Sequence, residues 1–264
     1  MIVFCQSTTN INSEIRNLAG KVAIVTGAAR NMGRAFSVAM AARGADIVVH
    51  YNSESSQPAA EETARLIEAK GARALLVKGD LTSTESVEKL FNDTIQSFSK
   101  VDIVINNAGL VIKKPMAEYT EEDFDRSFAI NAKAPFLVMK QAAKHIQENG
   151  RVINMGTSLL GAFTGMYGIY AGSKAPLEDF TRALAKEIGN RGVTVNTVAP
   201  GPIDTPFFHS EENEQSVAYL SAASVANRLG RIEDIVPTIE FLVSEDARWT
   251  TGQTLFVNGG FVTR

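Results

Sequence analysis

The chain has 264 residues, 45% of them apolar and 21% charged, with a net charge of −3 at pH 7 and a pI near 5.7. Those proportions exclude a disordered chain and suit one large α/β core, and the acidic balance offers no electrostatic reason to bind nucleic acid or an acidic membrane surface. Cys5 is the only cysteine and His50, His145 and His209 are scattered, so the sequence has neither a disulfide framework nor metal-ligand spacing, and no metal is expected.

No apolar run approaches the roughly 18 residues needed to cross a bilayer. The opening MIVFCQSTTNINSEIRNLAG has no basic region ahead of its few apolar residues and only Arg16 as a base, a poor match to a signal peptide or presequence. Residues 1–18 therefore read as an N-terminal arm, 19–264 as one domain, and the protein as cytoplasmic.

From Lys21 onward, β-branched runs at 22–26, 46–51, 72–78, 101–106, 151–155, 193–198 and 253–257 alternate with amphipathic stretches such as 34–44 and 176–188. The runs are almost continuously apolar, as strands covered on both faces should be. This pattern predicts an α/β fold, a doubly wound Rossmann-type parallel sheet of seven strands with helices on both faces. The segment 203–228 is the least regular.

The first strand runs into Thr26-Gly27-Ala28-Ala29-Arg30-Asn31-Met32-Gly33 and then a helix. In such a sheet this turn lets backbone approach a phosphate at a helix N-terminus. Asn31 is the non-glycine type best able to take a left-handed backbone. The second strand ends Tyr51-Asn52-Ser53, without a carboxylate; Arg30 stands nearby as a base suited to phosphate, or as a solvated loop residue. Asp80-Leu81 follows the third strand, where Asp80 could equally cap a helix. Asn106-Asn107-Ala108-Gly109 ends the fourth. Asn131 lies in the helical FAINAKAPFLVMK. After the fifth strand come Gly156-Thr157-Ser158-Leu159-Leu160-Gly161 and then Tyr170-Ala171-Gly172-Ser173-Lys174, whose Tyr and Lys share a helix face at i, i+4. Pro200-Gly201-Pro202-Ile203-Asp204-Thr205 follows the sixth.

Taken in order, these motifs resemble those of the short-chain dehydrogenase/reductase family, from Lys21 to the closing GQTLFVNGGF, with Asn31 replacing the middle glycine of the TGxxxGxG turn. The resemblance implies hydride transfer between a nicotinamide cofactor and a carbonyl/alcohol pair, by a tetrad of Ser158, Tyr170, Lys174 and Asn131. Thr157 is the alternative hydroxyl if the register shifts by one. Lys174 would lower the Tyr170 pKa and hold the nicotinamide ribose, and Asn131 would support a water in a proton relay. The cofactor would contact Gly27, Arg30, Asn31, Met32, Gly33, Tyr51, Asn52, Ser53, Asp80, Leu81, Asn107, Ala108, Gly109, Tyr170, Lys174, Pro200, Gly201, Ile203 and Thr205. With Tyr51 at the family's acidic position, NADP(H) is expected over NAD(H).

A 3-oxoacyl thioester reductase is an open alternative. So is an enoyl reductase, since Tyr167 and Lys174 are separated by six residues, and so is a regulator that binds cofactor without catalysis. Substrate contacts are expected from 203–228 with Leu110, Leu159, Leu160, Phe163 and Tyr167. These residues are mostly apolar, while Glu211-Glu212-Asn213-Glu214 reads as a solvated lid surface. The family also implies a homo-oligomer, a tetramer, with a small-molecule carbonyl substrate and neither nucleic acid nor membrane as partner.

Overall fold

Each β-branched run forms a parallel strand whose alternate residues face opposite ways, so every strand but the last feeds two cores at once. The computed structural model describes residues 17–162 and 164–263; Cys5, Phe163 and all but the end of the expected arm lie outside the described residues. The strands are β1 (Val22–Val25), β2 (Asp46–Tyr51), β3 (Ala74–Lys78), β4 (Val101–Asn106), β5 (Ile146–Met155), β6 (Thr194–Pro200) and β7 (Thr254–Val257). The helices are α1 (Asn31–Ala42), α2 (Gln57–Glu68), α3 (Thr84–Phe98), α4 (Glu121–Phe128), α5 (Ala134–His145), α6 (Gly168–Lys174), α7 (Pro176–Ile188), α8 (Pro206–His209), α9 (Glu214–Ala222) and α10 (Ile232–Val243).

The sheet order is β3-β2-β1-β4-β5-β6-β7, all parallel. On one face Val25, Val49, Ile105 and Ile153 pack with Phe36 and Met40 of α1 and Ile235 and Ile239 of α10. On the other, Ile24, Val48, Val104 and Val152 pack with Leu90 and Phe91 of α3, Leu137 of α5 and Leu184 of α7. Leu18 is buried in the first core and donates its N–H to Arg43 O. Two details depart from expectation. β5 begins at Ile146 instead of 151, with an irregular register against β4, and 203–228 contains α8 and α9, the latter capped by Asn213.

The order reverses between β1 and β4, leaving a crevice above their C-terminal ends. Its two banks are laced together there. Thr26 Oγ1 accepts the N–H groups of Asn107 (2.9 Å) and Ala108 (3.0 Å), and Asn107 Nδ2 donates to Thr26 O (3.0 Å) and Gly27 O (3.2 Å). A Cβ on Gly33 would lie 2.4 Å from Gly27 O and 2.6 Å from Asn107 Nδ2. Only glycine lets α1 sit this close. Asn31 has φ 49°, the left-handed conformation expected of it, and Gly27 has φ 62°.

His50 completes the lacing. Its buried ring accepts the Gly27 N–H at Nδ1 (3.2 Å), so Nε2 carries the proton and donates to Gly79 O (2.9 Å). Burial pushes its pKa down to about 4, which keeps Nδ1 an acceptor at neutral pH.

Gly33→Ala should cost about 1–3 kcal/mol through overpacking, read as a lowered Tm. Gly172→Ala, with nothing within 4 Å of its Cβ position, should be neutral or stabilising, and equal effects from the two would refute the packing argument. Because the folded His50 titrates below an unfolded histidine, its contribution is complete above pH 6.5 and is lost as pH falls toward about 4. Urea titrations from pH 8 to pH 4 should show this slope in wild type and its absence in His50→Asn; parallel curves would refute it.

Candidate active site

Two concavities open above the crevice and share Met32, Gly156, Tyr170, Thr205 and Phe207 as walls. The larger, about 1780 Å³ including its mouth, runs along the tips of β1, β2 and β4. The smaller, about 740 Å³, lies beneath α8 and α9. Every residue expected to contact a cofactor lines the larger cleft except five. Gly33 packs beneath the turn, Ser53 spends its hydroxyl on Ser55 and Ser56, and Pro200, Gly201 and Ile203 line the smaller pocket. Ser56 takes the place expected of Ser53, bonded to Arg30 Nη2 at 3.2 Å.

Arg30 is the N-cap of α1 and has an extended backbone, and no side chain caps the helix. Its first N–H groups and positive dipole end therefore face the cleft. Asp80 forms a turn with Thr82, its Oδ1 accepting from the Thr82 N–H and hydroxyl, each at 2.9 Å. Two ionisable cleft residues escaped the sequence reading. Arg126 comes from α4, and His50 was visible only as a lone polar residue inside an apolar strand.

Tyr170 and Lys174 are brought together by one turn of α6, Lys174 buried and Tyr170 half-buried between the two concavities. Burial pushes the Tyr170 phenol up to about 12, opposed by a hydrogen bond with the Thr157 hydroxyl. Burial also pushes Lys174 down to about 8, and its Nζ donates to Met155 O at 2.7 Å. The expected lowering of the phenol by Lys174 is thus not what the structure displays; the downward pull comes from Thr157.

Ser158 lines the same smaller pocket as Thr157 and Tyr170, but its hydroxyl is engaged elsewhere. Thr157 continues the extended backbone of β5, but Ser158 begins a 3₁₀ turn, and the two hydroxyls diverge. Ser158 Oγ donates to Ala199 O (2.9 Å) and accepts from Asn258 Nδ2 (3.1 Å), so it braces β6 and the segment after β7. The sequence could not separate two adjacent hydroxyl residues; the backbone turn gives them different partners.

Asn131 lies on a π-helical turn, Ala129–Lys133, between α4 and α5, a distortion found often at functional sites. Its amide accepts from Leu110 N (2.9 Å) and donates to Leu110 O (2.7 Å) and Ser173 Oγ (3.0 Å). None of these bonds reaches Lys174. Asn131 pins the loop after Gly109, whose Cβ position is 3.3 Å from both Asn131 Oδ1 and Lys174 Nζ.

The acidic stretch also departs from expectation. Glu211 and Glu212 line the smaller pocket, and the Glu212 side chain is 1% exposed, paired with Lys113 Nζ at 2.5 Å. Its other oxygen accepts from the Tyr167 phenol. Only Asn213 and Glu214 are solvated. Most of the remaining walls, including Val111, Phe207, Phe208, Leu220 and Phe261, are apolar.

A family model described as enoyl-(acyl carrier protein) reductase matches residues 27–262. A short-chain type dehydrogenase/reductase from Picea abies is 40% identical, with 93% of each chain covered. A hydroxynaphthalene reductase-like protein from Metarhizium majus is 38% identical over 94% of this chain and 97% of its own. A Burkholderia cenocepacia chain described as a dehydrogenase, crystallised with NADP bound, superposes with a TM-score of 0.91 at 46% identity, covering 94% of this chain and 96% of that one. Among the described residues no helix is long and apolar enough to cross a membrane. Likeness that runs through almost the whole chain, and not through one motif alone, makes this protein a member of the short-chain dehydrogenase/reductase family.

Proposed function

We propose that the chain is an NADPH-dependent carbonyl reductase acting on bulky, apolar, fused-ring ketones, with Thr157 and Tyr170 as the groups that bind the carbonyl oxygen. The observation that carries this reading is that Thr157 and Tyr170 both line the smaller pocket where it meets the cleft, with Thr157 near enough to pull the Tyr170 phenol down. The apolar pocket walls and the hydroxynaphthalene reductase-like relative support the substrate class.

The larger cleft fits a dinucleotide on its own features. Glycine is required at Gly33, α1 is uncapped, and β2 ends in Tyr51 and Asn52 without a carboxylate. Gly27, Asn31 and the α1 N-terminus would hold the pyrophosphate, Arg30 with Ser56 a 2′-phosphate, and Lys174 the nicotinamide ribose. When bound, NADPH supplies the hydride.

The protein's part is proton placement and polarisation. A carbonyl oxygen seated between the Thr157 and Tyr170 hydroxyls would be polarised by both and its developing negative charge stabilised. With a pKa near 12, Tyr170 holds its proton at neutral pH and can surrender it to the more basic alkoxide. Asn131 keeps the 109–110 loop seated beside Lys174. Tyr167, the other tyrosine spaced suitably from Lys174, has its proton committed to Glu212, which favours carbonyl over enoyl chemistry.

In assays with fused-ring ketones, 3-oxoacyl thioesters and enoyl thioesters, Tyr170→Phe should cut ketone turnover by at least about 10²-fold with NADPH binding intact. Tyr167→Phe should keep its ketone kcat within about threefold, any loss falling on KM, and Thr157→Val should be worse than Ser158→Ala. Turnover of Tyr170→Phe within threefold of wild type would reject the mechanism.

NADPH should be preferred over NADH by at least about tenfold in kcat/KM, the worth of one charge-assisted hydrogen bond. Arg30→Ala should erase much of that gap and Tyr51→Asp should reverse it. A preference untouched by Arg30→Ala would move the phosphate site to another base, with Arg126 next in line.

The chain is further proposed to be a homotetramer. Phe124 on α4, Phe136 on α5 and Phe241 on α10 present exposed rings, and Trp249 is 96% exposed, more aromatic surface than a monomer ordinarily leaves in water. Light scattering at micromolar concentration should give about four times the chain mass of 28.5 kDa; a monomer mass would contradict it.

A further inference from the structure

The Lys113, Glu212 and Tyr167 cluster has no part in the proton chemistry above, yet it is the most deeply buried charged group of the smaller pocket. It joins three segments that are far apart in sequence: the loop after β4, the residue before α6, and the connection between α8 and α9. Two of them are already one body. The Tyr119 hydroxyl sits 2.9 Å from Ile112 O and 2.8 Å from Met166 O, and the Lys114 N–H donates to Met166 O at 2.9 Å. Loop 112–114 and residues 166–167 thus form a fixed bank on one side of the pocket.

The opposite bank, residues 206–222, has little of its own to hold it down. α8 has no buried residue and α9 has one, Leu220. Against that bare packing, Glu212 is inserted into the fixed bank to 1% exposure. One carboxylate oxygen takes the Lys113 ammonium and the other the Tyr167 phenol, while Glu211 Oε2 accepts the Lys113 backbone N–H at 2.9 Å. The Lys113 ammonium also lies 5.2 Å over the Tyr167 ring, itself 6.4 Å from the Tyr170 ring. A buried ion pair is weak as net stabilisation, but stripping one partner leaves a costly unpaired charge. Such a contact is either fully made or absent.

We infer that Glu212 is a positioning residue: with Lys113 and Tyr167 it forms a charged clasp that holds the 206–222 lid over the substrate pocket. This rests on the carbonyl-reductase reading for its substrate but not for its geometry. The lid carries Phe207 and Phe208 into the pocket wall, so a made clasp encloses a large apolar substrate. A small ketone needs only Thr157 and Tyr170, which lie on the body of the protein. Glu212 therefore governs how strongly the enzyme favours bulky substrates.

The test uses the full chain and two readouts. In Glu212→Gln and Lys113→Met, amide hydrogen exchange across 206–222 should quicken at least tenfold while the β1 and β4 amides keep their wild-type rates. With NADPH present, KM for a fused-ring ketone such as 1-tetralone should rise at least tenfold, and KM for acetone less than threefold. The double variant Lys113→Met/Glu212→Leu, which restores an uncharged contact, should recover slower lid exchange than either single variant. Lid exchange unchanged in both single variants overturns the clasp, whatever the activity. So does faster lid exchange with KM rising equally for the two ketones. Wild type that exchanges as expected but reduces no ketone leaves the clasp standing as a lid contact and defeats the carbonyl-reductase reading instead.

Discussion

The close approach of α1 to the ends of β1 and β4 is the constraint on which the rest of the molecule hangs. Gly33 makes it sterically possible, since any Cβ there would meet the Gly27 carbonyl at 2.4 Å. Thr26 and Asn107 make it favourable by satisfying the backbone groups that two diverging strands would otherwise leave unpaired. The crevice, the exposed α1 N-terminus and the position of the 109–110 loop all follow from that one seam. So does the placement of Lys174, whose ammonium is 3.3 Å from the Gly109 Cβ position.

Burial then sets the chemistry. His50, Tyr170 and Lys174 are all pushed toward their neutral forms by the same cause, removal from water. The results differ because the groups differ. A neutral imidazole can accept the Gly27 amide, a neutral phenol can donate a proton, and an amine held near 8 stays charged at neutral pH. The Thr157 hydroxyl acts against the general trend at one atom only, the Tyr170 oxygen. A site built this way needs no cluster of opposing charges around its acid, and the pocket next to it can remain apolar. The one charged cluster in that pocket is set to one side, where the lid meets the body.

Much of this was legible in the residue order. Continuous β-branched runs separated by amphipathic stretches dictate a parallel sheet covered on both faces, because a strand apolar on both sides has nowhere else to go. The glycine turn, the absence of a carboxylate after β2 and the Tyr170–Lys174 spacing are local facts, carried by neighbours in the chain, and they mark the crevice from sequence alone. Asn31 in a left-handed conformation belongs to the same class, since residue type and backbone preference are read at a single position.

What the tertiary structure decided were the contacts between residues distant in sequence. Thr157 and Ser158 are adjacent hydroxyls; their partners differ because a 3₁₀ turn begins at Ser158, whose hydroxyl meets Ala199 and Asn258. His50 was an unremarked polar residue until β1, β2 and β3 brought Gly27 and Gly79 to its two nitrogens. Glu212 reads as a solvated acid in a run of acids, and becomes buried only because Lys113 and Tyr167, 99 and 45 residues away, supply its counter-charge and its donor. Sequence specifies what each side chain can offer; a buried polar group also needs a partner, and in this protein the decisive partners arrive through the fold.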